Sequence, residues 1–183
     1  MLVSDTDGHT KATHLPFLLE RSAGTNGSLI GHVARQNPQW KQLSGREVLV
    51  VFHGPHAYIS PTWYRAERMV PTWNYLAVHA YGTARLIEDP DAAIALLSDL
   101  TAQAEREMST PWPFDPSDPF VRNLATQVVA FRIEITRLEG KWKLNQNHPE
   151  ERRRLVIAAL RAQGGDDDIE IAARMEATLG ERS

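Results

Sequence analysis

The stretch NYLAVHAYGTARLI, residues 74–87, alternates apolar with polar residues and is interrupted once, at Gly82. Such alternation is typical of a strand that buries one face. Further short apolar runs precede residue 90 and are separated by turn-forming residues rather than by helical patterns. These runs are MLVSD (1–5), ATHLPFLLE (12–20), GSLIGHV (27–33), REVLVVF (46–52) and HAYISP (56–61). Six such segments predict a mainly β protein built on an antiparallel barrel, not a doubly wound sheet.

The second half of the chain changes to helical patterns. Asp89-Pro90 and Asp118-Pro119 each place a capping aspartate before a proline, which predicts a helix start. We expect flanking helices near 90–107 and 118–128, and then a strand at 129–138 in which polar and apolar residues alternate. These patterns predict a barrel domain over residues 1–148 that includes both helices, followed by a helical appendage over residues 149–183.

The appendage begins with Pro149, which predicts another helix start. The segment EERRR, residues 150–154, places glutamates and arginines at helical spacing. We interpret it as a solvated, ion-paired helix face rather than as a binding surface.

Composition excludes several classes of protein. The 183 residues contain no cysteine, so disulfides, thiolate chemistry and cysteine-ligated zinc are excluded. The formal net charge of −3 does not favour direct contact with nucleic acid. The sequence has no apolar run of about 18 residues and no signal-peptide core at its start, so we expect a cytoplasmic protein with no membrane contact.

Polar and aromatic side chains are concentrated in four segments, 12–17, 31–40, 55–75 and 138–147. A cavity for a planar, phosphorylated ligand needs this mixture, because rings hold the flat part while arginine or lysine neutralises the phosphate. Any one tryptophan could equally be a core or interface anchor. The seven histidines show no HExxH motif, and structural roles are commoner than metal ligation, so we expect no metal site.

Five blocks resemble a known family in their order and spacing. They are ATHLPFLLE, GHVARQNPQW, VVFHGPHAYISPTWY, VPTWNYLAVHAYGTARLIED and LEGKWKLNQN. Over nearly all of residues 2–162 the chain resembles the PaiB-type family, the FMN-binding negative transcriptional regulators. The resemblance implies a six-stranded antiparallel split β-barrel of the FMN-binding type, similar to pyridoxamine phosphate oxidases. It also implies a homodimer, with flavin in clefts at the subunit boundary.

The resemblance further implies FMN contacts at the ends of several strands. The segment 12–17 corresponds to a strand that contacts flavin in related oxidases, and 31–39 to the position of their phosphate ligands. Later segments are expected at the cleft or across the dimer. The candidate FMN-binding residues are Thr13, His14, His32, Arg35, Asn37, Ser60, Trp73, Asn74, Tyr75, Lys141, Lys143 and Gln146. If FMN binds, at least one of Arg35, Lys141 and Lys143 should contact the phosphate, because an unpaired dianion in a cleft is costly.

Three functions remain open at this level. The first is an FMN-binding protein with flavin-dependent redox activity, since flavin itself supplies the chemistry. The second is a regulator that acts through DNA or a protein partner without catalysis. The third is a haem-binding split-barrel protein, in which His14, His32 or His79 would be the axial ligand.

Overall fold

The structure is a computed structural model that describes residues 1–6 and 8–180. Its strands are β1 (Leu2–Thr6), β2 (His9–Thr13), β3 (Leu18–Glu20), β4 (Ser28–Ala34), β5 (Glu47–Ile59), β6 (Thr72–Ile87) and β7 (Val128–Lys143). Its helices are α1 (Pro90–Glu105), α2 (Pro119–Ala125), α3 (Glu150–Gln163) and α4 (Asp166–Ala177). Two short 3₁₀ turns cover Pro38–Gln42 and Pro61–Tyr64.

The strands form one seven-stranded sheet in the order β2-β1-β5-β6-β7-β4-β3. β1 pairs antiparallel with β2 and β5, and β4 pairs antiparallel with β3 and β7. The order begins with β2 and ends with β3, so hydrogen bonds between the described strands do not close the sheet into a ring. A mainly β antiparallel fold with flanking helices was expected and is confirmed, with seven strands in place of six.

The apolar run at 12–20 is two strands rather than one. β2 ends at Thr13 and β3 begins at Leu18, with Pro16 between them. Proline has no N–H to donate, so it interrupts a strand ladder. After this break the chain changes partner: β2 pairs with β1, whereas β3 pairs with β4 through Leu18 opposite Ile30.

The runs at 46–52 and 56–61, in contrast, belong to a single strand, β5. Gly54-Pro55 lies inside it, although the pattern predicts a break there. β1 pairs with β5 at Leu49 and Val50, and Pro55 lies beyond this pairing. A proline is tolerated where one side of a strand has no ladder bond to lose.

The helix starts follow the local signals. Asp89 Oδ1 accepts a hydrogen bond from Asp91 N (3.1 Å), and Asp118 Oδ1 accepts one from Phe120 N (2.8 Å). Each bond satisfies a backbone donor that a helix leaves free in its first turn. Of the helices in residues 1–6 and 8–180, none has the length and apolar character needed to cross a bilayer.

Contacts divide the chain into two compact units. The first unit contains Met1–Val51 and His79–Leu138. Its core is a cluster of buried aliphatic side chains from the sheet around Phe131, which is fully buried and meets Phe17 edge to face. Gly82 is required in this packing, because a Cβ there would lie 2.2 Å from the Glu134 carbonyl oxygen. This contact explains the interruption at Gly82 in the alternating stretch.

The second unit contains Phe52–Val78 and the chain from Glu139 onward. Its core joins Ile59, Tyr64 and Leu144 to apolar residues of α3 and α4, such as Leu160 and Met175. The boundary that the sequence predicts at residue 148, between a barrel domain and a helical appendage, stays a prediction.

Candidate functional site

Two predicted site residues from different strands meet in the first unit. Asn37, in the loop after β4, donates from Nδ2 to Thr13 Oγ1 at the end of β2 (3.0 Å), although the two lie 24 positions apart. The Thr13 hydroxyl in turn donates to Gln39 Oε1 (2.6 Å). Asn37 Oδ1 also accepts from Gln39 N (3.0 Å), which caps the 3₁₀ turn. The ends of β2 and β4 therefore form one polar corner.

Gln39 was not among the sequence candidates, yet it holds this corner together. It is fully buried, and its Nε2 donates to Ser4 Oγ (2.9 Å) and to the Lys11 carbonyl (3.4 Å). A buried amide with partners for both ends stabilises the fold, whereas one left unpaired destabilises it. The Asn-Pro pair at residues 37–38 is a local sequence signal for the capped turn. Nothing in the sequence indicates that Gln39 is buried.

Arg35 is exposed and its guanidinium is held by neutral groups. Nε donates to the Thr126 carbonyl (2.7 Å), and Nη2 donates to the Val128 carbonyl (3.1 Å). The guanidinium carbon lies 5.8 Å from the centre of the Trp40 ring, and Trp40 Nε1 donates back to the Arg35 carbonyl (2.9 Å). Arg35 takes part in no ion pair among the residues that the structure describes. Its position is fixed while its positive charge stays uncompensated.

Arg35 and Trp40 line a cavity of about 680 Å³ that lies within the first unit, called the Arg35 cavity below. Its other walls combine apolar side chains with a second arginine, Arg122, and include Leu86, Ile87, Ile94 and Val129. The acidic groups Glu88 and Asp89 also line it, but Asp89 is used as the N-cap of α1. Arg122 pairs with Asp91 outside the cavity lining (2.7 Å). Cationic, acidic, aromatic and apolar groups thus surround one space of ligand size.

The two histidines predicted as FMN ligands, His14 and His32, differ in environment. His32 is half-buried on β4, opposite Ala130 of β7. Its Nδ1 is buried without a hydrogen-bond partner from the described part of the chain, and burial lowers the pKa of the ring below its ordinary value. His14 is exposed just after β2. A buried ring nitrogen without a partner is unusual in a folded protein.

The predicted FMN-binding residues on β6 lie in the second unit and differ in exposure. Asn74 is fully buried and donates from Nδ2 to the Met175 sulfur (3.4 Å). Trp73 is exposed and its ring lies 5.5 Å from that of His56. Tyr75 is half-buried, and the centre of its ring lies 6.0 Å from Lys143 Nζ. Asn74 therefore belongs to the packing of this unit, while Trp73 is available to a ligand or partner.

The other second-unit candidates mostly serve their own loops. Ser60 caps the second 3₁₀ turn by accepting from Thr62 N (3.3 Å). Gln146 accepts from Leu144 N (2.8 Å) and donates to the Trp142 carbonyl (2.7 Å). Lys143 Nζ donates to Thr72 Oγ1 (2.9 Å), and Lys141 is exposed. The lysines keep their charges free of carboxylate partners among the described residues.

Comparison with known proteins identifies relatives of the chain. A family model described as "Putative FMN-binding domain" matches residues 1–137. The protein named protease synthase and sporulation protein PAI 2, from Bacillus subtilis (strain 168), is 35% identical over 180 residues. That match covers 97% of this chain and 86% of the relative.

Two solved structures share the fold at low sequence identity. The FAD and haem binding protein from Mycobacterium smegmatis has a TM-score of 0.59 at 17% identity, over 90% of this chain and 71% of that one. The flavocytochrome Anf3 from Azotobacter vinelandii has a TM-score of 0.56 at 14% identity, over 77% and 59%. These likenesses confirm the predicted split-barrel type of fold. Because the family model and the Bacillus relative both match most of its length, the chain belongs to the PaiB-type family.

Proposed function

We propose that this protein binds FMN in its first unit, with Arg35 as the cation for the phosphate. The observation that carries the proposal is the Arg35 cavity, in which the predicted cation lies beside an indole ring and apolar walls. Its volume of about 680 Å³ falls in the range of small-molecule sites, roughly 300–1,000 Å³. The family model supports the same cofactor.

The residues present fit the chemistry of a flavin. The phosphate needs a cation with free charge, and the described residues give the Arg35 guanidinium hydrogen bonds to the neutral carbonyls of Thr126 and Val128. The isoalloxazine needs flat apolar contacts, which Trp40 and Leu86 offer. Bound flavin would supply electron or hydride transfer, while the chain binds and orients it. Such redox activity is part of the proposal, and its substrate is left open.

The polar corner extends this proposal. Thr13, at the end of β2, is hydrogen-bonded to Asn37, which lies two residues after Arg35, and neither of them lines the Arg35 cavity. We propose that they contact the ribityl or phosphate oxygens, together with His32 on β4 and His14 just after β2. The candidates of the second unit stay predictions: Ser60, Trp73, Asn74, Tyr75, Lys141, Lys143 and Gln146. Their role in flavin binding would involve a homodimer, which is likewise proposed from the family resemblance.

The test compares FMN with riboflavin, which lacks the phosphate. We expect the wild-type protein to bind FMN more tightly than riboflavin, and Arg35→Ala to weaken FMN binding about tenfold or more while changing riboflavin binding little. Titration of flavin-free protein, followed by fluorescence quenching, measures both affinities. Arg154→Ala is the matched control, because Arg154 is exposed and pairs with Glu150 on α3.

Two outcomes would contradict the proposal. Equal losses of FMN and riboflavin affinity in Arg35→Ala would mean that Arg35 only supports the fold. No binding of either flavin by the wild-type protein would remove the proposed function altogether. Folding of each variant is checked by its thermal unfolding midpoint.

The absorption spectrum of the purified protein tests the alternatives. A yellow protein whose flavin fluorescence is released on heating supports FMN, whereas a Soret band would favour haem. Salt-sensitive retention of duplex DNA would favour a regulator that contacts DNA directly. The name of the Bacillus relative concerns sporulation and protease synthesis, which motivates this last measurement.

A further inference from the structure

The second unit contains a pocket of its own, with a volume of about 390 Å³. It lies between the loop after the second 3₁₀ turn and the loop that follows β7. The lining includes Arg68, Lys143 and His148, together with the apolar side chains of Met69 and Val70. This space is called the Lys143 pocket below.

The Lys143 pocket is positively charged. Arg68 and Lys143 line it, whereas none of its lining residues is an aspartate or glutamate. Among the described residues neither cation forms an ion pair, and Lys143 Nζ donates only to the neutral Thr72 Oγ1 (2.9 Å). Cations without counter-charges around one space attract an anion.

A further cation adds to this potential from α3. Arg152 Nη1 lies 4.0 Å from the sulfur of Met69, a lining residue. Burial, and then the charge of Arg152, lower the pKa of His148 below its ordinary value. Burial is the larger of these two causes, and the effect of Arg152 shows that its charge is felt at His148.

The walls of the Lys143 pocket include a buried hydrogen bond and two residues with left-handed backbone conformations. Asn145 Nδ2 donates to the hydroxyl of the buried Tyr64 (2.8 Å), whose ring lies 5.0 Å from that of His148. Arg68 and Asn145, which both line the pocket, have left-handed backbone conformations with φ of 57° and 60°. Asparagine tolerates this conformation, but for arginine it is uncommon and costs free energy. Strained backbone conformations are more frequent at ligand-binding sites than elsewhere in proteins.

We propose that the Lys143 pocket binds a small organic anion, with its phosphate or carboxylate group between Lys143 and Arg68 and its apolar part against Met69 and Val70. Charge-assisted hydrogen bonds from both cations fix the anion, and the apolar wall selects an organic compound over a bare ion. The site does not depend on flavin binding in the first unit. The phosphate of FMN has the same chemistry, so the experiment distinguishes the two sources.

The probes are inorganic phosphate and phenyl phosphate, titrated by calorimetry into flavin-free and into FMN-saturated protein. We expect one saturable site for phenyl phosphate in both forms, with weaker binding of inorganic phosphate. Lys143→Gln and Arg68→Gln should each weaken phenyl phosphate about tenfold or more. Arg65→Gln is the matched control, because Arg65 lies in the same loop with φ of 48° but does not line the pocket.

Three results would overturn the inference. The first is the absence of phenyl phosphate binding to either form of the wild-type protein. The second is an equal loss in Arg65→Gln and Arg68→Gln, which would indicate general charge attraction. The third is complete displacement of the probe by FMN, which would mean that the pocket serves the flavin phosphate. Stabilisation of the wild-type protein by phenyl phosphate, read as a rise in its melting temperature, gives a measurement that no variant's misfolding can obscure.

Discussion

At the scale of single residues, several predicted ligand contacts also have structural partners. Asn37 bonds Thr13 and caps a 3₁₀ turn, so its amide is used on both sides. Asn74 is buried against the sulfur of Met175. Arg35 differs from these two residues, because its partners are neutral carbonyls and its positive charge can still attract an anion. The type of a polar residue indicates what it can bind, while its contacts decide whether it is available.

His32 provides a prediction on pH and stability. Burial lowers the pKa of His32 below its ordinary value of 6.5, so the unfolded chain takes up the proton more readily than the folded protein. Folding stability should therefore fall as the pH falls below about 6.5, until the folded form is protonated as well. We expect His32→Gln to flatten this dependence, measured by urea unfolding of flavin-free protein between pH 7.5 and 5.

His14→Gln is the control for this measurement, since it makes the same substitution at an exposed histidine. His148 also has a lowered pKa, so some dependence should persist in His32→Gln. Identical slopes for His32→Gln and the wild-type protein would show that His32 does not contribute.

At the scale of helices and strands, local signals located the helix starts better than the strand ends. Asp89 and Asp118 cap α1 and α2 because a side-chain oxygen needs only a backbone donor two residues away. Strand ends depend on partners that are distant in sequence. Pro16 separates β2 from β3, whereas Pro55 lies inside β5, because the two prolines have different neighbours in the sheet.

Helix α3 shows how the partner element decides burial. The interpretation of EERRR as a solvated, ion-paired face holds for Arg154, which pairs with Glu150, but is wrong for Arg153. Arg153 is buried and donates to the Met175 carbonyl (3.2 Å) and to the Thr178 hydroxyl at the end of α4. Helical spacing placed both arginines on α3, and only the packing of α4 separates their roles.

Substitution of these adjacent arginines should have unequal effects. Arg153→Ala removes two hydrogen bonds from a buried cation and should lower the free energy of unfolding by roughly 2–4 kcal/mol. Arg154→Ala removes an exposed i,i+4 ion pair and should lower it by about 0.3–0.5 kcal/mol. Urea denaturation followed by circular dichroism measures both values. Losses of similar size would mean that Arg153 is not held as described.

At the scale of the whole molecule, pairing of distant strands sets the topology. β4 pairs with β7 from Ser28 opposite Glu134 to Ala34 opposite Val128, which joins the first part of the chain to its last strand. This pairing brings the loop after β4 to the beginning of β7, where Arg35 reaches the Val128 carbonyl. The position of the proposed phosphate cation is therefore a consequence of the sheet order.

The assembly prediction also belongs to this scale. We expect a homodimer in solution, measured by light scattering after size exclusion. In the second unit Trp73 and Tyr58 are 45% and 50% exposed with ring centres 6.5 Å apart, a surface typical of protein interfaces. Trp73→Ser should shift the protein towards monomer, whereas Trp112→Ser, at a tryptophan 55% exposed in the first unit, should not. A wild-type monomer at micromolar concentration would contradict this expectation.

The amino-acid sequence by itself determined the mainly β class, the helix caps and the family, because strand alternation, capping chemistry and long motif blocks are local properties of the chain. The tertiary structure decided which polar groups are free. Gln39 and Arg153 are buried, Arg35 has no carboxylate partner among the described residues, and Lys143 lines a pocket. These outcomes depend on residues that are far away in sequence. The chemical type of a side chain is given by its residue alone. Whether that side chain is free to bind a ligand depends on the distant segments that pack against it.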